Sequence, residues 1–138
     1  MEVIIKKIEK KYLEQVSNLL NENFNHKLDY IVNNEQKYSL IALYNDEVVG
    51  HLFVTKIYND IKKIYWAKVD YVCVKNQYRG QKIATRLLNK LEEIEEDISY
   101  YELTCSQEKL ATNLYMKAGY ESVDTILLRK TIKNKKNL

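Results

Sequence analysis

A short polar turn in the middle of the chain carries the residues best suited to bind an anion. Arg79, Gly80 and Lys82 lie between a predicted strand that ends at Val74 and a predicted helix that begins near Lys82. A helix that starts directly after a tight turn leaves its first backbone N–H groups unpaired, at the positive end of the helix dipole. With the Arg79 guanidinium beside them, these N–H groups would suit a pyrophosphate. An ordinary turn with a solvated arginine is the alternative interpretation of the same residues.

Other residues that could do chemistry are few and scattered. The cysteines are Cys73 and Cys105, and the histidines are His26 and His51. A metal site needs about four such ligands at close spacing, so no metal is expected. Both cysteines lie in apolar, β-rich segments, where a buried reduced thiol is expected rather than a disulfide or an acylated nucleophile.

The elements that must position the turn follow from the periodicity of apolar residues. Strands are predicted over residues 2–8, 39–44, 48–58, 64–74, 100–105 and 123–132, and helices over 11–24, 82–97 and 107–118. Residues 25–37 suit a short helix or a lid-like loop. Ser106 is the expected N-cap of the last helix, Gly119 its expected end, and Gly50 indicates a bulge or a close backbone approach. This order predicts an α/β protein, a mixed sheet with helices on its faces.

Length and charge limit the class of protein. The chain has 138 residues and a formal charge of +3, which suits one domain over residues 1–132 and a basic, disordered tail over 133–138. Much of the excess charge lies in and beside that tail, so a nucleic-acid-binding surface on the folded part is not expected. The apolar runs are too short for a membrane span and the N-terminus lacks signal-peptide features, so a cytoplasmic protein with no membrane partner is expected.

Two motifs resemble the GCN5-related N-acetyltransferase (GNAT) superfamily, whose members use acetyl-CoA. Residues 74–84, Val-Lys-Asn-Gln-Tyr-Arg-Gly-Gln-Lys-Ile-Ala, are similar to its acyl-CoA signature, Arg/Gln-x-x-Gly-x-Gly/Ala. Residues 111–120 are similar to its Ala-x-x-x-Tyr-x-x-x-Gly-Phe/Tyr segment. Two positions depart from the pattern: Lys82 stands at the central glycine, and Glu108 stands where many members have asparagine. Lys82 could still offer its N–H to phosphate, provided that its φ is negative.

The resemblance implies a largely antiparallel central sheet with helices on both faces, and an acetyl-CoA site between the fourth and fifth strands, near Val74 and Cys105. The implied cofactor-binding residues are Val72, Cys73, Val74, Arg79, Gly80, Gln81, Lys82, Ile83, Ala84 and Thr85. The Val74 N–H is the implied oxyanion donor, and Tyr115 the implied acid that protonates the departing CoA thiolate. Asp70 is a candidate for the base that deprotonates the amine, although it could equally be a solvated aspartate. His51 is a weaker candidate, and a chain of water molecules could replace either residue.

The implied function is direct transfer of an acetyl group from acetyl-CoA to a primary amine, on a small molecule or a peptide N-terminus, in a ternary complex. The acceptor would bind among residues 21–37, the hairpin turns and residues 120–126, which carry Glu22, Asp29, Glu35, Glu121 and Asp124, a modest bias towards a cation. Members of the superfamily are often dimers, which allows a homodimer here. Two other interpretations stay open: a non-catalytic acyl-CoA sensor, and nucleic-acid binding through the basic tail.

Overall fold

A computed structural model describes residues 2–24, 39–94, 97–105 and 109–132. Along these ranges the elements are β1 Ile4–Lys7, α1 Leu13–Phe24, β2 Leu40–Tyr44, β3 Glu47–Asn59, β4 Ile64–Val74, α2 Ile83–Ile94, β5 Ile98–Glu102 and α3 Lys109–Lys117. Short 3-10 turns lead into α1 at Lys10–Tyr12 and out of β4 at Asn76–Tyr78. The predicted lid-like segment, the Ser106 cap and the tail lie outside the described residues.

The strands form one sheet in the order β1-β2-β3-β4-β5. The pairs β1–β2, β2–β3 and β3–β4 are antiparallel, and the pair β4–β5 is parallel. The β2–β3 turn has φ values of 49° at Asn45 and 64° at Asp46. Tight hairpins need this left-handed conformation, and asparagine and aspartate tolerate it. The predicted mixed, largely antiparallel sheet is therefore confirmed.

Helices cover both faces of this sheet, because side chains alternate between faces along each strand. On one face α2 packs on strands β2 to β4, through Ile83, Leu87, Leu88 and Leu91 against Ala42, Val49, Leu52, Val54, Ala67 and Val69. On the other face α1 packs through Val16, Leu19 and Leu20 near Ile41, Leu43, Val48 and Cys73. The apolar stripes of the two helices thus fix them on opposite sides of the same strands.

A bulge in β4 changes which face its last residues contact. His51 is opposite Cys73 and Phe53 is opposite Asp70, so β4 has one more residue than β3 over this stretch. Tyr71, inside the bulge, has a φ of 51°, and its carbonyl accepts a 2.9 Å hydrogen bond from Nδ1 of the buried His51. After the bulge Cys73 packs on the α1 side, whereas Val74 packs on the α2 side.

The prediction of a strand over residues 123–132 is wrong. This segment has no regular secondary structure, and its side chains are exposed. An extended apolar segment is stable as a strand only where a neighbouring strand shares its backbone hydrogen bonds, and among the described residues none pairs with it. The predicted fifth strand is also shifted: β5 spans Ile98–Glu102 instead of 100–105.

The helices are short. In the described ranges, none has both the length and the apolar character needed to cross a lipid bilayer.

Candidate active site

The pairing between strands β4 and β5 stops before β4 ends. The last paired residues are Lys68 on β4 and Glu102 on β5. Strand β5 ends there, whereas β4 continues to Val74. Within the described residues, the edge of β4 over 69–74 that faces β5 therefore has no strand beside it. We call this opening the β4–β5 gap. It begins at Glu102, earlier on β5 than the Cys105 position expected from the sequence.

The backbone of Val74 faces the β4–β5 gap. Gly50 and Val74 are opposite each other in the β3–β4 pair, and the next N–H, of Lys75, donates to the Val49 carbonyl at 2.7 Å. Because hydrogen-bonded and non-hydrogen-bonded pairs alternate in antiparallel sheets, Gly50 and Val74 form a non-hydrogen-bonded pair. The N–H and C=O of Val74 therefore point away from β3. By the same alternation the backbone groups of Cys73 point towards β3, not towards the gap.

The turn before α2 contains two residues in the left-handed conformation. Gly80 has a φ of 82° and Lys82 a φ of 62°. Glycine adopts this conformation readily, whereas for an L-residue such as lysine it costs roughly 1–2 kcal/mol. The φ of Lys82 is therefore positive, and not negative as the sequence analysis required. The backbone keeps a conformation that favours glycine, although Lys82 has a side chain. A Cβ at Gly80 would meet nothing within 4 Å, so the turn is open on that side.

The first turn of α2 carries backbone donors that its N-cap residue cannot satisfy. The Lys82 carbonyl accepts the first helical hydrogen bond, from the Arg86 N–H at 3.0 Å. Lysine has no side-chain oxygen, so it cannot cap the N–H groups of Ile83, Ala84 and Thr85 as serine or aspartate would. These donors lie at the positive end of the helix dipole and can serve an external anion.

Tight packing at Gly50 holds this end of α2 against the sheet. A Cβ at Gly50 would lie 3.0 Å from Cγ2 of Ile83, 3.2 Å from Cβ of Ala42 and 3.3 Å from Cδ1 of Leu87. A methyl group in that space would force the helix away from the strands. The close approach predicted at Gly50 is confirmed, and it sets the distance between the first turn of α2 and β3.

The sequence suggests that Arg79 lies beside the first N–H groups of α2, but its hydrogen bonds go to β4 and α1. Its Nε donates to the Val74 carbonyl at 3.0 Å, and its Nη2 donates to Oδ1 of Asn23 at 2.6 Å. The guanidinium therefore joins the carboxyl end of β4 to the last turn of α1. Nothing in the sequence indicates that Asn23 contributes to the site, because it is 56 positions away from Arg79 and belongs to an otherwise ordinary amphipathic helix.

A second polar cluster that the sequence did not reveal holds the chain between β4 and the turn. The Glu47 carboxylate accepts from Nζ of Lys75 at 2.7 Å and from the Tyr78 hydroxyl at 3.1 Å. The hydrogen bond from Lys75 lowers the pKa of Glu47 below its usual value. Because Glu47 begins β3, this cluster ties the approach to Arg79 and Gly80 to a fixed point of the sheet.

Tyr115, on α3, is half-buried against the α2-side core. Its ring meets that of Tyr120 edge-on, with 6.0 Å between the centroids. Burial raises its pKa above 10, and the neighbouring thiols of Cys105 and Cys73 raise it further. The α2-side core that Tyr115 packs against also receives Val72 and Val74 of β4 and Leu103, which follows β5.

The other predicted residues differ in how accessible they are. Asp70 is half-buried, and because Val69 points into the α2-side core, Asp70 points to the α1 side. His51 is buried within the sheet, where burial lowers its pKa to about 4, so it is neutral at pH 7 and shielded from an acceptor. Burial raises the pKa of Cys73 to about 12, which makes it a poor nucleophile. The expectation of a buried thiol is wrong for Cys105, which is exposed. Among the described residues, no group of His, Cys, Asp or Glu is arranged to hold a metal ion.

The comparisons with known proteins agree with the fold. The chain resembles solved acetyltransferase structures along nearly its whole length. An aminoglycoside acetyltransferase from an uncultured soil metagenomic sample, in complex with sisomicin, has a TM-score of 0.80 at 15% identity, covering 95% of this chain and 97% of the other. Ribosomal-protein-alanine N-acetyltransferase from Brucella melitensis biovar Abortus 2308 has a TM-score of 0.77 at 17% identity, covering 94% and 100%. A possible acetyltransferase from Clostridium difficile 630 has a TM-score of 0.76 at 18% identity, covering 96% and 99%.

At these identities the likeness establishes the fold, and a family model establishes the family. The model described as "Acetyltransferase (GNAT) domain" matches residues 6–134. The chain therefore belongs to the GNAT acetyltransferase family. A search among curated proteins found no match to the chain.

Proposed function

We propose that the protein transfers the acetyl group of acetyl-CoA to a primary amine by direct attack within a ternary complex. The observation that carries this proposal is the backbone of Val74. Its N–H and C=O point into the β4–β5 gap because β4 continues past the end of β5. An amide fixed in this way is suited to stabilise charge that develops on a carbonyl oxygen.

The residues around the gap fit a ligand with an extended arm and a pyrophosphate. The end of β4, from Val72 to Val74, offers a strand edge to an extended chain, chiefly through the backbone groups of Val74. The turn residues 79–82 and the amides of Ile83, Ala84 and Thr85 offer donors at a helix N-terminus, which suits a pyrophosphate. When bound, acetyl-CoA would supply the reactive thioester. Arg79 would then exchange its hydrogen bond to Val74 for contacts with the ligand.

We assign the role of general acid to Tyr115. Loss of the acetyl group leaves a thiolate, and a proton donor stabilises that leaving group. The pKa of Tyr115 is raised by burial, so its hydroxyl stays protonated throughout the physiological range. The hydroxyl could therefore supply the proton that the thiolate needs.

The amine must lose a proton before it can attack, and Asp70 is our candidate for accepting it. It is half-buried and lies on the stretch of β4 that borders the gap, on the α1 side. A carboxylate at that point would also attract a cationic amine. A water chain is the alternative proton acceptor, and the Asp70→Asn variant separates the two. If Asp70 is the direct base, the rate of this variant should collapse at neutral pH and recover at higher pH; if a water chain serves, it should not.

The acceptor surface that we propose is the α1 side of β3, β4 and β5, which combines aromatic rings with carboxylates. Trp66 and Tyr100 stack with 5.5 Å between centroids and 14° between planes. Tyr71 meets Phe24 and Phe53 edge-on, at 5.1 Å and 6.1 Å. We propose a cationic amine as the acceptor, and an aminoglycoside and a peptide beginning with alanine are the first to test. Of the carboxylates proposed for this role from the sequence, Glu22, Glu121 and Asp124 are exposed, and Asp29 and Glu35 lie outside the described residues.

A non-catalytic acyl-CoA sensor is the second candidate, and two observations favour it. Lys82 has a φ of 62° where the family motif has glycine, and Arg79 already bonds to the Val74 carbonyl. The first places a side chain in the turn where the family motif has none, and the second must break before Arg79 can contact a ligand. A sensor would keep enough affinity to respond to acyl-CoA without needing an amine site.

One assay separates the two candidates. The protein is incubated with acetyl-CoA and a panel of an aminoglycoside, a polyamine and short peptides, and both free CoA thiol and acetylated amine are measured. We expect amine-dependent thiol release with an acetylated product identified by mass spectrometry. A rise in melting temperature with acetyl-CoA, but no product from any amine, would favour the sensor. No thermal shift and no product would contradict both.

A further inference from the structure

His51 is a buried titratable residue that the proposed reaction does not use. It lies on β3, opposite Cys73 of β4, and its side chain is completely buried. A polar side chain is rarely buried to this extent unless specific hydrogen bonds replace its contacts with water. One such bond joins His51 to the backbone of β4, at the place where that strand departs from regular pairing.

The hydrogen bond between His51 and β4 has a defined direction. Nδ1 of His51 lies 2.9 Å from the Tyr71 carbonyl oxygen, and a carbonyl oxygen can only accept. Burial lowers the pKa of His51 to about 4, so the ring is neutral at pH 7 and carries one N–H. That proton must therefore be on Nδ1, from which the imidazole donates it to Tyr71.

The residue that accepts this hydrogen bond is strained. Tyr71 and Val72 together lie opposite Leu52, which makes the bulge in β4. The φ of Tyr71 is 51°, a left-handed conformation that is unfavourable for a residue with a Cβ. A bulge also disrupts the regular ladder of backbone hydrogen bonds. The His51 donor therefore stabilises the bulge at its most strained residue.

The bulge decides which amide of β4 faces the β4–β5 gap. Val69, before the bulge, and Val74, after it, both pack in the α2-side core. In an uninterrupted strand, residues five positions apart lie on opposite faces. The extra residue reverses the alternation of the side chains and, with it, that of the backbone groups. Without the bulge, the Val74 N–H would point towards β3, and the Cys73 N–H would point into the gap.

We propose that His51 is a positioning residue for acetyl transfer, because its Nδ1–H maintains the bulge that turns the Val74 N–H into the β4–β5 gap. This inference rests on the proposed function, in which that N–H stabilises charge on the thioester carbonyl oxygen. His51 is buried away from both ligands and acts through the backbone of β4. Its loss should slow the chemical step more than it weakens acetyl-CoA binding, since the amides of the first turn of α2 are held by packing at Gly50.

Two replacements of His51 separate its hydrogen bond from its packing. His51→Asn keeps a donor in the same place, because Nδ2 of asparagine and Nδ1 of histidine are both bonded to Cγ. His51→Leu has nearly the shape of asparagine but no donor, so it is the matched control. We expect kcat to be lower in the leucine variant than in the asparagine variant by about tenfold or more, while their KM values for acetyl-CoA agree within about threefold. Equal kcat values, or a difference that lies in KM alone, would overturn the proposal.

NMR spectroscopy gives a second readout that does not depend on activity. The imidazole ¹⁵N shifts of the unmodified protein report the tautomer, and we expect the proton on Nδ1 at pH 7; a proton on Nε2 alone would refute the hydrogen bond. The ¹³C shifts of Tyr71 report its backbone conformation, which should persist in His51→Asn and change in His51→Leu. If the unmodified protein acetylates no amine, the proposed function fails, and these shifts still decide the role of His51. A Tyr71 that is unchanged in the leucine variant would show that His51 does not maintain the bulge.

Discussion

Replacement of Lys82 by glycine should make the protein more stable. The φ of Lys82 is 62°, and the left-handed region costs a residue with a Cβ roughly 1–2 kcal/mol. Glycine removes this strain and costs roughly 0.5–1 kcal/mol in the added freedom of the unfolded chain. The net expectation is a gain of about 0.5–1 kcal/mol in the free energy of unfolding. For a chain of this size that is a rise of about 2–5 °C in melting temperature.

The charge of Lys82 must be separated from its backbone conformation, and Lys82→Ala does so. Alanine loses the charge and keeps the Cβ, so it should show no comparable gain in stability. Lys82→Asn should fall between the two, because asparagine tolerates the left-handed region better than most residues do. Urea denaturation and differential scanning calorimetry on all four proteins measure the differences. A glycine variant no more stable than the alanine variant would refute the strain at this turn.

The same variants test the contribution of the lysine charge to anion binding. If the turn holds a pyrophosphate, Lys82→Gly and Lys82→Ala both lose one nearby cation, and calorimetric titration should give CoA affinities reduced by up to about fivefold at low salt. The reduction should shrink as salt is added. An affinity that is unaffected by either variant would mean that the Lys82 ammonium is too far from the phosphates to matter.

Three further predictions concern single residues. Tyr115→Phe should lower kcat by about 10²-fold or more with an unchanged melting temperature, as loss of a general acid requires; unchanged turnover would make Tyr115 a core residue only. The pKa of His51 is about 4 in the folded protein and 6.5 in the unfolded chain. The free energy of unfolding should therefore be unaffected by His51 above pH 6.5, and it should fall by about 3 kcal/mol as the pH drops from 6.5 to about 4. His51→Asn should flatten this part of the unfolding profile, and an identical profile would contradict the assignment. Gly50→Ala should cost about 1–3 kcal/mol on urea denaturation because its Cβ would lie 3.0 Å from Ile83. Unchanged or increased stability, which a Gly→Ala replacement gives where the backbone is unstrained and there is space, would disprove tight packing.

Local patterns predicted most of the fold because each element buries one apolar face. The stripes of α1 and α2, the turn at Asn45 and Asp46 and the helix end at Gly119, with a φ of 97°, all follow from short-range rules. The predicted strand over 123–132 failed for a different reason. Its composition suits a strand, but pairing depends on an edge that the segment itself does not contain.

The site was less predictable than the fold, since its contacts join distant parts of the chain. The turn at Gly80 was identified from its neighbours in sequence. The side chain of Arg79, in contrast, bonds to Asn23 and to the Val74 carbonyl, and nothing near it in sequence indicates either partner. The φ of Lys82 was likewise set by the turn and not by the residue, because the tight connection into α2 requires a left-handed backbone whichever side chain is present.

A titration of ¹⁵N-labelled protein with acetyl-CoA, followed by amide NMR, tests most directly whether the thioester binds in the β4–β5 gap. We predict that the amide resonances of Val74 and of Ile83, Ala84 and Thr85 shift together and saturate, while those of the β3–β4 turn stay in place. Saturable binding that moves other amides and leaves Val74 and the first turn of α2 unchanged would contradict this account.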